Sequence, residues 1–522
     1  MDIKQLETWL WESACSLRGS LDAPKFKDYI LPLIFIRRLS DVFDDEIERL
    51  SKEFGDKQSA LKLVKKDHSL VRFYIPEDAR WESIRALTTK IGQLLTEKMR
   101  LISKENPRLQ GVIDIVDFNA TVSGERIVPD EKLSRLIEIL GRKEYRLGLQ
   151  DVEPDIFGRA YEYLLRKFAE GQGQSAGEFL TPREVGLIKA KILDPKPGQT
   201  AYDPTAGSAG LLIKLELVLK EKEKNLKRPI QLYGQEQNHV TYAMAQMNMI
   251  IHDMQGEMAI GDTLRNPKFL EGSALKKFDL VTANPMWNQD GYITDFYEQD
   301  TYNRFPAGYP SASSADWGWV QHMFSSLNDK GKASIVLDTG AVSRGSGNQG
   351  GNKERDIRKW FVDNDYIEGI ILLPENLFYN TPAPGIILIL NKAKPKDRKN
   401  KIVLLNASLK FKKGRPKNFI PDGFDDDGNY SKENDVITEI ADAFKTGKDV
   451  EKLVKVISKE EAIKSDYNIS PSRYIEVGEA EVYRDIAEVL GEIEEFEAIA
   501  SELNKELKGI FKELGIKSKK RL

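Results

Sequence analysis

The sequence has almost no cysteine: Cys15 is the only one in 522 residues. An internal disulfide and a cysteine-based zinc site are therefore excluded. Long apolar runs are also missing, since no stretch approaches the ~20 residues that a membrane-spanning helix needs. The first residues lack the apolar core of a signal peptide. We therefore expect a protein of the reducing cytoplasm that has no association with a membrane.

A strong excess of positive charge is missing as well. The chain has 78 basic and 82 acidic residues, which give a formal net charge of −4. A protein that grips DNA by itself normally carries a strongly basic domain or stripe. If DNA is a ligand, we expect another subunit to provide much of the affinity for it. The length itself favours roughly three domains.

The order of apolar residues divides the chain into regions. From Leu6 to about Leu149 the spacing is helical, which predicts an α-helical N-terminal domain over residues 1–150 that serves packing or oligomerisation. Pro32 is expected to mark a helix start or a kink in this region. After Pro154, β-rich runs alternate with helical stretches, which predicts a doubly wound α/β sheet over residues 151–420. The seven predicted strands are 200–203, 230–234, 258–260, 278–282, 333–337, 367–372 and 386–390.

The final segment, residues 421–522, ends in a predicted long helix. Its apolar residues alternate spacings of four and three over four heptads: Val482, Ile486, Val489, Ile493, Phe496, Ala500, Leu503, Leu507, Ile510 and Leu514. A helix packed on its own domain would show a similar face. The length of the seam favours a coiled-coil-like tail that docks on a partner.

The first candidate site follows the first predicted strand, where residues 203–210 read Asp-Pro-Thr-Ala-Gly-Ser-Ala-Gly. Small residues let the backbone approach a ligand, and the next helix start presents free N–H groups to a carboxylate such as that of methionine. Asp203 is placed to meet an ammonium group. A nucleotide phosphate or tight packing would explain this turn about as well. The candidate ligand-binding residues are Asp203, Thr205, Gly207, Ser208, Ala209 and Gly210.

Acidic residues follow the next two predicted strands. Glu236 comes where a carboxylate commonly accepts both hydroxyls of a ribose. Asp262 and Thr263 follow the third strand, where they could meet the edge of an adenine ring. Helix capping is the alternative, because Asp and Thr are good caps. Agreement with the glycine turn favours the ligand interpretation.

A third segment, Asn284-Pro285-Met286-Trp287, ends the fourth predicted strand. An exocyclic amino group is hard to methylate because its lone pair is delocalised into the ring. The Asn284 amide oxygen and the Pro285 carbonyl could accept the amino hydrogens and localise that lone pair. Trp287 could stack on a base flipped out of a duplex. A plain Asn-Pro turn is the alternative.

The Asn284–Trp287 segment resembles the Asn-Pro-Pro-aromatic motif of amino-group methyltransferases, with methionine in the third place. Residues 203–210 resemble the S-adenosylmethionine motif of that family. Upstream, residues 177–183 resemble the segment that closes over the methionine end of the cofactor, which adds Glu178, Phe179, Leu180, Thr181, Pro182 and Arg183 as candidates. This order of motifs is similar to the gamma order. The resemblance implies S-adenosyl-L-methionine as cofactor and no metal.

Other stretches resemble the modification subunit of type I restriction-modification systems: residues 17–43, 373–379, 385–392 and 467–474. This resemblance implies a Rossmann-like seven-stranded methyltransferase sheet and methylation of the N6 amino group of adenine at a specific site in duplex DNA. It also implies two modification subunits per specificity subunit, with a restriction subunit binding afterwards.

Two other functions compete with this interpretation. The same motif serves enzymes that methylate glutamine amides in proteins, although those chains are compact and lack a long helical domain and a heptad tail. Met286 could instead mark a decayed catalytic loop in an assembly scaffold. No segment resembles a target-recognition domain, so the sequence does not indicate the DNA target.

Overall fold

The structure is a computed structural model. It describes residues 3–17, 26–170, 180–348, 350–379, 381–425, 429–477, 491, 496–501, 503–505 and 507. The chain divides into two compact units, Met1–Ile475 and Glu476–Leu522. Among the described residues, no helix combines the length and the apolar character that crossing a membrane requires.

The N-terminal part of the first unit is helical, as predicted. Its elements are α1 (Ile3–Cys15), α2 (Phe26–Phe54), α3 (Lys57–Lys66), β1 (Thr121–Val122), β2 (Glu125–Arg126), α4 (Trp81–Arg85), α5 (Ile91–Glu105), α6 (Asp130–Leu140) and α7 (Pro154–Glu170). Pro32 lies inside α2 and does not mark its start. The middle of α2 is buried on every side, which explains why its apolar run shows no polar face. The helical region therefore packs around α2.

Arg38 ties α2 to the segment that leads into α7. Its side chain is buried, and its Nη1 donates hydrogen bonds to the backbone oxygens of Leu147, Gly148 and Val152. Burial lowers the pKa of Arg38 to about 10. A charge taken out of water is tolerated only when it is well bonded. This arginine therefore holds the segment between the helical region and the sheet region against α2.

The remainder of the first unit alternates strands and helices. Its elements are α8 (Arg183–Leu193), β3 (Thr200–Asp203), α9 (Gly210–Lys222), β4 (Gln231–Glu236), α10 (His239–Ile251), β5 (Gly256–Ile260), β6 (Leu270–Glu271), β7 (Ala274–Leu275), β8 (Phe278–Ala283), α11 (Thr294–Glu298), α12 (Asp316–Ser325), β9 (Leu327–Asp338), α13 (Lys353–Asp363), β10 (Ile367–Leu372), β11 (Gly385–Asn391), β12 (Lys401–Asn406), β13 (Asp422–Phe424), β14 (Tyr430–Asp435), α14 (Val436–Thr446), β15 (Val454–Ser458), α15 (Lys459–Lys464) and α16 (Pro471–Tyr474).

The main sheet has the order β15-β12-β10-β11-β9-β8-β3-β4-β5. The five strands from β9 to β5 are parallel, and β11 runs antiparallel to both of its neighbours. The predicted doubly wound α/β sheet is confirmed, and it contains all seven predicted strands. Two more strands, β12 and β15, extend one edge, so the segment after residue 420 adds a strand to the sheet.

The topology places a crevice at the carboxyl ends of β3 and β8. From β3 the chain continues to β4 and β5 on one side, whereas β8 and β9 lie on the other side. In open α/β sheets the ligand site lies at such a reversal of strand order. The two predicted motifs at residues 203–210 and 284–287 follow these two adjacent strands. They therefore meet at one edge of the sheet.

In the second unit, the described residues between 491 and 507 are helical. Phe496, Leu503 and Leu507 of the predicted seam are exposed by 68%, 57% and 42%. Ala500 is also exposed, and the six remaining members of the seam (Val482, Ile486, Val489, Ile493, Ile510 and Leu514) lie outside the described residues.

Replacing Arg38 by Met should destabilise the first unit by roughly 3 kcal/mol, because three buried carbonyl groups lose a charged donor. Arg49→Met on the same helix is the matched control, since its ion pair with Glu53 is exposed and contributes less than about 1 kcal/mol. The midpoints of denaturant unfolding of the two variants provide the comparison. Equal midpoints would contradict the structural role given to Arg38.

Candidate active site

A cavity of about 240 Å3 opens at the carboxyl ends of β3 and β8. Its walls come from α1, α7, the start of α8, the turn before α9 and the end of β8. The sequence-predicted residues that line it are Leu180, Thr181, Pro182, Arg183, Asp203, Thr205, Gly207, Ser208, Gly210 and Asn284. Residues from three separate predicted segments thus share one cavity. Glu178 and Phe179 lie outside the described residues.

The turn between β3 and α9 depends on left-handed backbone conformations. Gly207 has a φ of +54° and Ala209 has a φ of +61°. The Ala209 N–H donates to the Ala206 oxygen at 2.8 Å, and α9 begins at the next residue. Branched side chains are strained in this region of backbone space. The small residues of the motif are therefore required by the tight turn that aims the helix start at the cavity.

Asp203 brings an incompletely bonded carboxylate to the cavity. Its side chain is buried, and Oδ1 accepts the Thr205 N–H at 3.0 Å. Oδ2 is also buried and has no hydrogen-bond partner among the described residues. Burial raises the pKa of Asp203. Because buried polar atoms are nearly always bonded, the arrangement suits a ligand that carries a cation or a donor.

Lys189 is a buried residue of this site that the sequence interpretation missed. It lies on α8 and is fully buried, and its Nζ donates to the backbone oxygen of Ala283 at 2.6 Å. Burial lowers the pKa of Lys189, while the nearby charge of Asp203 opposes that shift. Its ammonium group is therefore bonded to the strand end just before Asn284, and its charge acts on the cavity acid Asp203. The available signal was a lysine at a core position of an apolar helix face.

Asn284 is held from two directions. Its Nδ2 donates to Thr181 Oγ1 at 3.1 Å, and its Oδ1 accepts from Trp287 Nε1 at 3.2 Å. The Trp287 ring packs edge-on against Phe378, with 4.8 Å between centroids. An amide oxygen has two lone pairs, so Oδ1 retains the capacity for a second donor. Met286 is 53% exposed and makes no part of the cavity wall.

The loop that leaves Trp287 is anchored by a cluster of charges. The backbone N–H of Asn288 donates to Asp316 at 2.9 Å, and its side-chain amide donates to Asp338 at 3.0 Å. Arg344 bonds both carboxylates and also Glu354. Four side chains from distant positions thus fix the far end of the loop. No sequence motif pointed to this cluster.

Glu236, Asp262 and Thr263 do not line the cavity. The Glu236 carboxylate accepts the Gly207 N–H at 3.0 Å and so supports the glycine turn. Asp262 accepts the backbone N–H groups of Leu264 and Arg265 in a turn that is not followed by a helix, so it does not cap a helix. Thr263 donates to the backbone oxygen of Pro204 at 2.6 Å. In this structure Glu236 and Thr263 support the turn after β3, whereas Asp262 orders the neighbouring loop.

Ala209, Pro285 and Trp287 are likewise absent from the cavity lining. Ala209 serves the turn through its backbone, and the Trp287 side chain is directed at Phe378. The opposite wall carries residues of the helical region, among them Glu162 of α7, whose carboxylate pairs with Lys214 of α9. The helical region thus closes one side of the cavity.

Family models match most of the chain. The model described as N-6 DNA Methylase matches residues 152–482, and the HsdM N-terminal domain model matches residues 6–140. The fold and these matches define a DNA amino-group methyltransferase with an attached helical domain. The N-6 DNA Methylase match covers more than half of the chain.

Curated relatives and a solved structure agree with this class. The type I restriction enzyme MjaVIII methylase subunit of Methanocaldococcus jannaschii is 34% identical over 92% of this chain and 82% of the relative. The MjaVII methylase subunit of the same organism is 33% identical over 92% and 80%. The type I restriction-modification methyltransferase subunit from Streptococcus thermophilus is 25% identical, with a TM-score of 0.73 over 91% of this chain and 100% of that one.

The chain therefore belongs to the N-6 DNA methylase family, among the methylase subunits of type I restriction enzymes. The family predicted from the sequence is confirmed. The comparisons favour adenine-N6 methylation of DNA over methylation of a protein glutamine and over a scaffold without activity.

Proposed function

We propose that the cavity at β3 and β8 binds S-adenosyl-L-methionine and that Asn284 there receives the N6 amino group of a DNA adenine. The proposal rests on one observation: the side chains of Asp203 and Asn284 line the same cavity. Asp203 offers a buried, unbonded carboxylate oxygen, and Asn284 offers an amide with remaining hydrogen-bond capacity. One side chain suits a cation, and the other suits an amino group.

The residues present fit the cofactor. When bound, S-adenosyl-L-methionine supplies an activated methyl group. Asp203 would hold its ammonium group, and the N–H groups at the start of α9 would hold its carboxylate. Gly207 lines the cavity with a φ of +54°, a conformation in which a branched side chain would be strained. Glu178, Phe179 and residues 180–183 are proposed to close over the methionine end.

Glu236, Asp262 and Thr263 remain in the proposed cofactor site in a supporting role. Each is bonded to the turn or to the loop beside it. A carboxylate that already accepts backbone N–H groups can still accept ribose hydroxyls, since each of its oxygens has two lone pairs.

The proposed chemistry depends on two fixed acceptors. Asn284 Oδ1 and the Pro285 backbone oxygen would accept the two amino hydrogens of adenine, which localises the nitrogen lone pair. The Thr181 hydroxyl holds the other end of the Asn284 amide and fixes its orientation. Trp287 would offer its ring to the flipped base, while Met286 keeps only a backbone role in the loop.

The proposed setting is a cytoplasmic type I complex. Duplex DNA is the proposed substrate, with two copies of this chain per specificity subunit and a restriction subunit joining afterwards. The proposed domains are a helical domain over 1–150, a methyltransferase domain over 151–420 and a C-terminal segment over 421–522 whose long helix docks on another subunit. The exposed apolar residues of the helical segment around 496–507 support docking through the tail.

Asn284→Ala should lower methyl transfer about a hundredfold or more, because a preorganised acceptor at the transition state contributes ~3 kcal/mol. Cofactor affinity should stay near the wild-type value, since the amide acts on the target amino group. Labelled methyl transfer to DNA and calorimetric cofactor binding measure the two effects. Asn364→Ala at an exposed helix end is the control. Near-normal turnover of Asn284→Ala would refute the proposed role.

Asp203→Asn should weaken cofactor binding roughly tenfold to a hundredfold, the usual contribution of a charge-assisted hydrogen bond of about 1.5–3 kcal/mol. Since burial raises the pKa of Asp203, acidification protonates it early. Wild-type affinity should therefore fall as pH decreases below neutrality, and the variant should lose this dependence. Calorimetry across pH tests both effects, with exposed Asp329→Asn as control. A variant with unchanged affinity would place the ammonium elsewhere.

Exchanging Leu503 and Leu507 for Glu should weaken co-purification with the specificity subunit, because both lie on the predicted docking seam. Lys505→Glu, on another face of the same helical segment, should have little effect. Deletion from Val482 onward should weaken the complex as well, while the remaining chain still folds and binds cofactor. Site-specific methylation by the truncated chain at the full-length level would contradict docking through the tail.

A further inference from the structure

Residues 408–419, called here the basic hairpin, concentrate positive charge in a chain of net charge −4. The segment reads Ser-Leu-Lys-Phe-Lys-Lys-Gly-Arg-Pro-Lys-Asn-Phe and contains five cationic side chains and no carboxylate. It follows β12 directly. Such a density of one charge is costly unless a partner of opposite charge or solvent offsets it.

The basic hairpin has a defined shape. The N–H of Lys412 donates to the Phe419 oxygen at 2.9 Å, and the N–H of Phe419 returns a bond to Lys412 at 3.1 Å. A Cβ on Gly414 would lie 2.3 Å from the backbone oxygen of Lys417, so only glycine fits this turn. The cations are thus presented on a closed backbone loop.

The basic hairpin is attached to the loop beside the active site. The N–H of Asn418 donates to the Asn376 oxygen at 2.9 Å, and Lys417 Nζ donates to the Asn376 side chain at 3.2 Å. Two residues further along that loop, Phe378 packs against Trp287. The next residue, Tyr379, lines the cavity. The hairpin is therefore attached to the loop that lines the cavity.

The five cations have different surroundings. Lys410 pairs with Glu439, and Lys417 is engaged with the neighbouring loop. Lys412, Lys413 and Arg415 are exposed, and none of them forms an ion pair with a carboxylate in the part of the chain that the structure describes. Three cationic side chains thus point to solvent without a compensating charge.

We propose that Lys412, Lys413 and Arg415 bind backbone phosphates of the DNA duplex beside the target adenine. A flipped base needs its flanking backbone held, and phosphate contacts provide that register without reading sequence. These three exposed cations have no carboxylate partner in the part of the chain that the structure describes, and their hairpin is bonded to the loop that contacts Trp287. The inference rests on the proposed function for its substrate.

The test is the salt dependence of duplex binding by the full chain, with the three residues changed to Gln: Lys412→Gln, Lys413→Gln and Arg415→Gln. Each phosphate contact contributes about −0.9 to the slope of log affinity against log salt. The slope should therefore become shallower by roughly 2 to 3. Cofactor affinity should stay unchanged, because none of the three lines the cavity.

A matched triple variant changes Lys396, Lys399 and Lys401 to Gln. These lysines are also exposed, and their substitution removes the same charge. They lie at or before the start of β12, whereas the basic hairpin follows its end. For this control variant, the slope of log affinity against log salt should stay within about 0.5 of the wild-type slope, because no phosphate contact is lost. An equal change in both triples would overturn the proposal, because it would reflect net charge alone.

Two further results would overturn it: an unchanged slope in the hairpin variant, or wild-type binding that shows no salt dependence. If the hairpin variant binds DNA normally but no longer co-purifies with the specificity subunit, the patch faces a protein and the proposal is wrong. The readout involves no methyl transfer. Failure of the proposed activity at Asn284 would therefore be recognised separately, by the methylation assay.

Discussion

The buried carboxylate of Asp203 is the constraint on which the rest of the site depends. Its Oδ2 has no partner among the described residues, while Oδ1 is bonded to the turn that follows. Lys189 lies close enough for its charge to act on Asp203 and at the same time bonds Ala283. A buried ion stays in place only when neighbouring groups compensate it. Asp203 at the turn after β3 and Lys189, which bonds the end of β8, thus place opposite charges beside the cavity, and the proposed cofactor would complete the bonding of Asp203.

The strand end at Asn284 is held by groups on both sides of it. Lys189 bonds the residue before it, and the Arg344 cluster anchors Asn288 beyond the loop. The loop between these anchors carries Trp287, which rests on Phe378. Preorganised acceptors stabilise a transition state because they need no rearrangement during the reaction. The anchoring gives a physical reason why an exposed Met286 is compatible with an ordered loop.

The sequence predicted the sheet well because its central strands are short apolar runs bounded by turn residues. β15 was missed because it is a short edge strand, Val454–Ser458, that is defined by its pairing with β12. At the site, the glycine turn and Asn284 could be placed because each ends a predicted strand. A residue that follows a strand is expected at the carboxyl end of the sheet, but its sequence position does not show which way its side chain points. The sequence therefore predicted that Glu236 and Asp262 contact a ligand, whereas in the structure their carboxylates accept backbone N–H groups. The helix pattern placed Lys189 at a core position but did not indicate its partners, because the contacts of Lys189 and Arg344 are tertiary.

The most direct test of the account is a crystal structure of the full chain with S-adenosyl-L-methionine bound. The account predicts the ammonium nitrogen within about 3 Å of Asp203 Oδ2, the ordinary length of such a hydrogen bond, with the methyl group facing Asn284. Cofactor bound outside the cavity at β3 and β8, or with its ammonium turned away from Asp203, would contradict the account.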